Sequence, residues 1–222
     1  MTCSVASIVE EIRIVLDQNM NSSPLADLGD IDTLSLDELI ESKIIDAATA
    51  VLRAAPLPLL SDVANDLTGS LSISNSAPLK ATLPLPADFL RLLRFKLASW
   101  PIPAHDVLSA DSREYIRANS PYHVHGTKDR PLIFLLPGGT ISSQPVMKLE
   151  AYCAGSSSDT LDGCQYAKYP SISTVNSEEQ IVLGSQLKRP TVYYAASLVA
   201  MSVKEKEVAE RLMAVCNESL KI

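Results

Sequence analysis

Three histidines and one pair of carboxylates are the residues in this 222-residue chain whose types and spacing could do chemistry. His123 and His125 lie two positions apart, so both imidazoles share one face if the segment is extended, and His105 could complete a set of metal ligands. Asp111 and Glu114 are one helical turn apart, where paired carboxylates can act as acid and base. No acidic or cysteine ligand stands next to His123 and His125 in sequence, and carboxylates on a short polar helix usually form a solvated face. The pattern therefore favours solvated loop histidines and ordinary surface carboxylates.

Two further motifs also fall short of an active site. Residues 137–140 (PGGT) follow an apolar run and could cradle an anion through backbone amides, but they lack the lysine of a phosphate loop, so a turn is expected. The four cysteines, Cys3, Cys153, Cys164 and Cys216, match no zinc spacing, and the chain has no Gly-x-Ser-x-Gly elbow. We therefore predict no catalytic, cofactor or metal residues, four reduced thiols and a protein that is not an enzyme.

Composition narrows the class of partner. Apolar residues make up 46% of the chain, which permits a sizeable core. The formal net charge of −7 argues against an electrostatic grip on nucleic acid, because that grip needs a basic surface. The N-terminus carries no apolar signal-peptide core and no apolar run reaches membrane-spanning length, so synthesis in the cytoplasm and no membrane partner are expected.

Helical periodicity predicts helices at both ends of the chain. Apolar residues recur at helical spacing over residues 4–19, and Ser35 and Glu38 form a capping-box pattern that begins a second helix, which Pro56 ends. The pattern predicts a short helix over residues 178–187 and one long helix over residues 191–220, with Pro190 in its first turn. The apolar stripe predicted for the long helix comprises Tyr194, Leu198, Met201, Val208, Leu212 and Val215.

The middle of the chain has the alternation typical of strands. Strands are predicted within residues 70–74, 89–97, 132–136, 147–153 and 165–169, and a short helix or turn over 110–118. The last two strands are expected to form a hairpin across the loop at residues 155–163. The fold class is therefore predicted as α+β: a helical bundle formed by residues 1–64 and 177–222, with a β-rich insertion over 65–176.

Three stretches of the chain resemble the head-to-tail adaptor proteins of tailed bacteriophages. They are residues 85–92 (LPADFLRL) leading to Trp100-Pro101, residues 111–131 with the pattern DSREY…NSPY…G…RP, and the ending, with a helix at Glu178-Glu179 followed by Arg189-Pro190 and YYAA before a long helix. The resemblance is to the tail tubular protein A type, in particular to relatives in phages of gut Bacteroidales, including crAss-like phages.

The resemblance implies a structural virion protein with a helical bundle and a β domain. Such subunits form a ring, commonly of twelve copies, in the phage neck at the head–tail junction, assembled in the host bacterial cytoplasm. The ring joins the portal protein to downstream tail or ring proteins and continues the channel for genome packaging and ejection. DNA would pass through without specific binding, and an acidic balance suits that role.

Two other functions remain open at this point. One is a small cytosolic enzyme whose site uses His105, His123, His125 and the Asp111–Glu114 pair. The other is a different capsid accessory protein. An enzyme would have a concave pocket around these side chains, whereas a ring subunit would expose apolar surface when isolated.

Overall fold

A computed structural model describes residues 2–19, 35–75, 78–120, 126–141, 144–175 and 177–221. The fold is mixed α+β and divides into two units, one of Met1–Val63 with Tyr169–Ile222 and the other of Ala64–Lys168. The helices are α1 (Val5–Asn19), α2 (Leu36–Ala54), a 3-10 helix (Leu57–Val63), α3 (Arg113–Ala118), α4 (Lys188–Ser202) and α5 (Lys206–Ser219). The strands are β1 (Thr2–Ser4), β2 (Asn65–Asp66), β3 (Ser72–Ile73), β4 (Lys80–Pro84), β5 (Phe89–Leu97), β6 (Leu108–Ser109), β7 (Gly126–Thr127), β8 (Arg130–Pro131), β9 (Ile133–Ile141), β10 (Gln144–Tyr152), β11 (Leu161–Lys168), β12 (Ile172–Val175) and β13 (Glu178–Val182).

The first two predicted helices are confirmed. The Ser35 side chain accepts the backbone N–H of Glu38 at 3.3 Å, and the Glu38 carboxylate accepts the backbone N–H of Ser35 at 2.8 Å, which completes the capping box at the start of α2. The same contact with Ser35 lowers the pKa of Glu38. The polar stretch at residues 20–34, predicted as a loop, lies outside the described residues.

The predicted long C-terminal helix is wrong, because the chain breaks after Ser202 into the two helices α4 and α5. Lys204 has a φ of 67°, in the left-handed region that a continuous helix excludes. The backbone N–H of Glu205 donates to the carbonyl of Ala200 at 2.9 Å, which closes the end of α4. The short helix expected over residues 178–187 is also wrong, since residues 178–182 form β13 instead.

β13 follows from a period of two that the helical interpretation overlooked. Ile181 and Leu183 are fully buried, whereas Val182 between them is 39% exposed. β13 pairs antiparallel with both β12 and β1, in the order β1-β13-β12. Residues 169–175 therefore belong to the first unit, which we call the helical unit, although the sequence pattern placed them in the β-rich insertion.

One apolar core joins the helices of the first unit. Its buried members from α4 are mostly small and allow close approach of the neighbouring helices: Val192, Ala195, Ala196, Val199 and Ala200. The stripe predicted for α4 therefore lies on the wrong face: Tyr194 and Leu198 are only half-buried and Met201 is 54% exposed. In α5, Val208 and Leu212 are buried as predicted, while Val215 is exposed.

The second unit contains the five-stranded sheet β3-β4-β10-β9-β6, the three-stranded sheet β2-β11-β5 and the small pair β7-β8. β5 occupies residues 89–97 as predicted. The expected hairpin of β10 with β11 is wrong, because β10 pairs with β4 and β9 while β11 pairs with β5 and β2. Both hydrogen-bonding edges of β10 are thereby occupied, so β11, the strand that follows it in sequence, pairs elsewhere.

The turn expected at residues 137–140 is also wrong, because this segment continues β9. Gly139 pairs with Val146 and Pro137 pairs with Met147, so a β-bulge accommodates Gly138 between them. Glycine and proline therefore mark an irregularity within a strand here and not its end. The short helix expected within residues 110–118 is confirmed as α3.

Candidate functional site

His105 lies beside a surface cavity of the second unit. Its Nδ1 is 2.6 Å from the carbonyl oxygen of Leu93, so this nitrogen carries a proton and donates. A cavity of about 270 Å³ lies alongside, lined by His105, Asp106 and Arg91 together with apolar residues of β5. The other ring nitrogen of His105 is thus free of this backbone contact, but the cavity brings neither Asp111 nor Glu114 to the imidazole.

Asp111 and Glu114 have a local role at the start of α3. Ser112 caps this helix by accepting the backbone N–H of Tyr115 at 3.3 Å, and Glu114 lies in the first turn. Negative side chains at this position interact favourably with the positive end of the helix dipole. Both carboxylates are exposed, which matches the solvated face that the sequence favoured.

A metal site of the three histidines would need residues that the structure describes only in part. His123 and His125 lie outside the described residues. Within the described ranges, no group of three His, Cys, Asp or Glu side chains is arranged to hold a metal ion.

The four cysteines are free thiols. Cys3, Cys164 and Cys216 are buried and Cys153 is half-buried. Burial raises the pKa of Cys164 to about 12, with a further contribution from the charge of Asp66, and burial raises the pKa of Cys216 to about 11. Such thiols stay protonated at neutral pH and are poor nucleophiles.

A buried carboxylate in β10 is a polar feature that the sequence did not reveal. Glu150 is 6% exposed and accepts a hydrogen bond from the Lys148 ammonium at 3.0 Å, while Lys80 lies 3.9 Å from its other oxygen. Next to it, the buried Tyr152 hydroxyl donates to the Asn119 side chain at 2.9 Å. Burial, reinforced by the charge of Glu150, raises the pKa of Tyr152. This cluster joins β4, β10 and the end of α3 through charge-assisted contacts.

The loop between β10 and β11 is organised by one carboxylate. Asp159 accepts backbone N–H groups from Gly155 at 2.9 Å, Thr160 at 3.0 Å and Ser99 at 3.2 Å, and it also accepts the Ser99 hydroxyl. Burial opposes its ionisation, but the hydrogen bonds from Ser99, Gly155 and Thr160 together lower the pKa of Asp159. The aspartate therefore fixes the loop by satisfying backbone donors, and it has no histidine partner for nucleophilic catalysis in this contact set.

The first unit carries a groove between α2 and α4. It measures about 380 Å³ and is lined by Lys43 and Asp46 of α2 and by Tyr194, Leu198 and Met201 of α4. The three α4 residues are those that the sequence assigned to the core. Tyr194 and Leu198 pack partly against the core, and the part of this apolar stripe that remains exposed, Met201 above all, is available for contact.

The chain was compared with protein-family models and with curated proteins. No protein-family model matches the chain. No curated protein matches it either. Among the described residues, no helix is long and apolar enough to cross a membrane.

Proposed function

We propose that this protein is a structural subunit of a ring in the neck of a tailed bacteriophage. In this proposal twelve copies form the ring, which joins the portal protein to downstream tail or ring proteins and continues the DNA channel. The proposal rests on the resemblance of residues 85–92, 111–131 and 189–196 to head-to-tail adaptors. It takes the first unit as the helical bundle of that family and the second as the β insertion.

The single structural observation that carries the proposal is the exposed apolar surface of the helical unit. Met201 is 54% exposed, Ile14 on α1 is 50% exposed and Ile45 on α2 is 39% exposed. Met201 lies at the groove between α2 and α4, next to the half-buried Tyr194 and Leu198. A ring subunit must bury surface on two neighbours, and side chains of this kind supply that surface.

The charge of the chain supports the same proposal. With a net charge of −7 per chain, a ring of many copies would be strongly acidic overall, and in this proposal part of that charge lines the channel. An acidic lining repels phosphates, so DNA slides through without binding, whereas basic linings retain it.

Native mass spectrometry of the purified chain, alone and with the portal protein, tests the assembly. We expect a closed oligomer in at least one of these samples and no turnover of small-molecule substrates. Deletion of the gene tests the function: we expect heads that package DNA but lose it or fail to join tails. A chain that stays monomeric with and without the portal, or a deletion strain that yields normal infectious particles, would contradict the proposal.

A further inference from the structure

The small sheet of the helical unit has two different strands at its edges. Its order is β1-β13-β12, so β1 and β12 each have a paired strand on one side only among the described residues. Both run antiparallel to β13, and therefore β1 and β12 run in the same direction. A free strand edge presents unpaired N–H and C=O groups that can pair with another chain.

Neither edge carries the side chains by which proteins usually block such pairing. β12 consists of Ile172-Ser-Thr-Val175 and β1 of Thr2-Cys-Ser4, without a charge, a proline or a bulge. The nine-residue strand β5, which is also at the edge of its sheet, differs in carrying both charges and irregularities. It carries Arg91, Arg94 and Lys96, has register shifts, and its outer side is bridged at Phe95 to Ala104.

The rows of side chains that cross the sheet also fit the addition of a further strand beside β12. Cys3, Ile181 and Ile172 form one row on the inner face and belong to the same apolar core or pack against it. Ser4, Gln180 and Ser173 form the adjacent row on the outer face. A second β1 placed beside β12 would continue both rows, with its own Cys3 next to Ile172 and its own Ser4 next to Ser173.

We propose that β12 of one copy pairs in parallel with β1 of the next copy, so that the small sheets of neighbouring subunits form one continuous belt. This inference rests on the proposed ring and names the contact that builds it. The two edges differ, so the contact is head-to-tail; such a contact generates a ring where its rotation closes, and it does not generate a two-fold dimer. Each contact involves only three or four residues per strand, so it is weak alone and gains strength from repetition around a closed ring.

Disulfide cross-linking tests this contact directly. Every variant carries Cys153→Ser, which removes the half-buried native thiol. In one variant, Ser4→Cys is combined with Ser173→Cys in the same chain. Within a subunit these positions are two strand spacings apart, about 9.6 Å, which exceeds the reach of a disulfide of about 7 Å between Cα atoms. Any bond between them is therefore between subunits. Mild oxidation should give a ladder of covalent dimers, trimers and larger species on a non-reducing gel.

Three controls separate this contact from others. Ser173→Cys alone and Ser4→Cys alone should each stay monomeric on the gel, because neither edge meets its own copy. Ser4→Cys with Ser202→Cys, an exposed position on α4, reports random collisions. A dimer from Ser173→Cys alone would show that two β12 edges pair with each other, and it would overturn the proposal.

Assembled samples complete the test, because they distinguish a failure of the edge contact from a failure of the ring. Oxidation is repeated on the chain with the portal protein and on phage particles that carry the variant. An oligomer by native mass that gives no ladder would overturn the edge contact and leave the ring intact. A chain that is monomeric in every sample would overturn both.

As a second variant, Thr174→Lys is added to the chain that carries Ser4→Cys and Ser173→Cys. The lysine puts a charge on the edge strand β12, opposite Glu179 of its own hairpin. We expect this protein to keep its melting temperature but to lose the ladder.

Discussion

The indole Nε1 of Trp100 donates a hydrogen bond of 2.9 Å to the backbone carbonyl of Cys153. Cys153 follows the end of β10 with a φ of 73°, a conformation that only the surrounding structure makes acceptable for a residue other than glycine. Trp100 is 2% exposed, and its ring meets Phe95 edge to face at 5.5 Å. The single tryptophan of the chain therefore ties the turn after β5 to the turn after β10.

Removing the indole donor should lower the stability of the protein. Trp100→Phe keeps an aromatic ring but loses the hydrogen bond and some volume, and we expect a loss of about 2–4 kcal/mol in the free energy of unfolding. Urea unfolding followed by circular dichroism measures it. An isosteric tryptophan analogue, with sulfur in place of the indole N–H, is the matched control and should lose only about 1–2 kcal/mol. Equal losses for both would assign the whole effect to the hydrogen bond.

Asp159 should make stability depend on pH in the acid range. Because its pKa is lower in the folded state than the 3.8 of the free side chain, its contribution is fully present above that value and is lost as the pH falls through the folded-state pKa. Asp159→Asn should cost about 1 kcal/mol at pH 7 and flatten this part of the profile. Thermal unfolding between pH 7 and pH 2.5 measures it. Ser99→Ala, which removes one donor but keeps the carboxylate, should reduce the pH-dependent part without abolishing it.

The two faces of α4 should respond in opposite ways to substitution. Ala196 is fully buried where the helices approach closely, so Ala196→Leu should overpack the core and cost about 1–3 kcal/mol. Met201 is 54% exposed, so Met201→Lys should leave the melting temperature of the isolated chain within about 1–2 °C. A large loss of stability from Met201→Lys, with no loss from Ala196→Leu, would show that α4 buries the face that the sequence pattern predicted.

The buried thiols should be protected in the folded protein. At pH 8 a maleimide should modify only the half-buried Cys153 quickly, because Cys164 and Cys216 are buried and keep their protons. Intact-mass measurement after brief labelling counts the adducts. Labelling in 6 M guanidinium should give four adducts, and fewer than four would reveal a disulfide.

Sequence patterns predicted elements well wherever one period was dominant. The capping box at Ser35 and the apolar stripes of α1 and α2 located those helices, and alternation with one buried face located β5. The β10–β11 hairpin failed because strand partners depend on which edges other strands have already taken. The stripe of α4 failed because that helix is apolar on every side, so periodicity could not choose its buried face. Glu150 was missed since its burial depends on lysines from two strands, and only the fold brings Lys80 to it.

The break between α4 and α5 can be tested by the sign of one substitution. Lys204 has a φ of 67°, which costs a lysine roughly 1 kcal/mol and costs glycine nothing. If the break exists in solution, Lys204→Gly should stabilise the protein by about 0.5–1 kcal/mol. If residues 191–220 instead form one continuous helix, the same substitution should destabilise it by a similar amount, because glycine is unfavourable inside helices. Ala214→Gly, at an exposed position within α5, is the control and should cost about 1 kcal/mol in either case. Chemical denaturation of the three proteins under the same conditions decides between a helical hairpin and a single long helix, since the two structures predict opposite signs for Lys204→Gly and the same sign for Ala214→Gly.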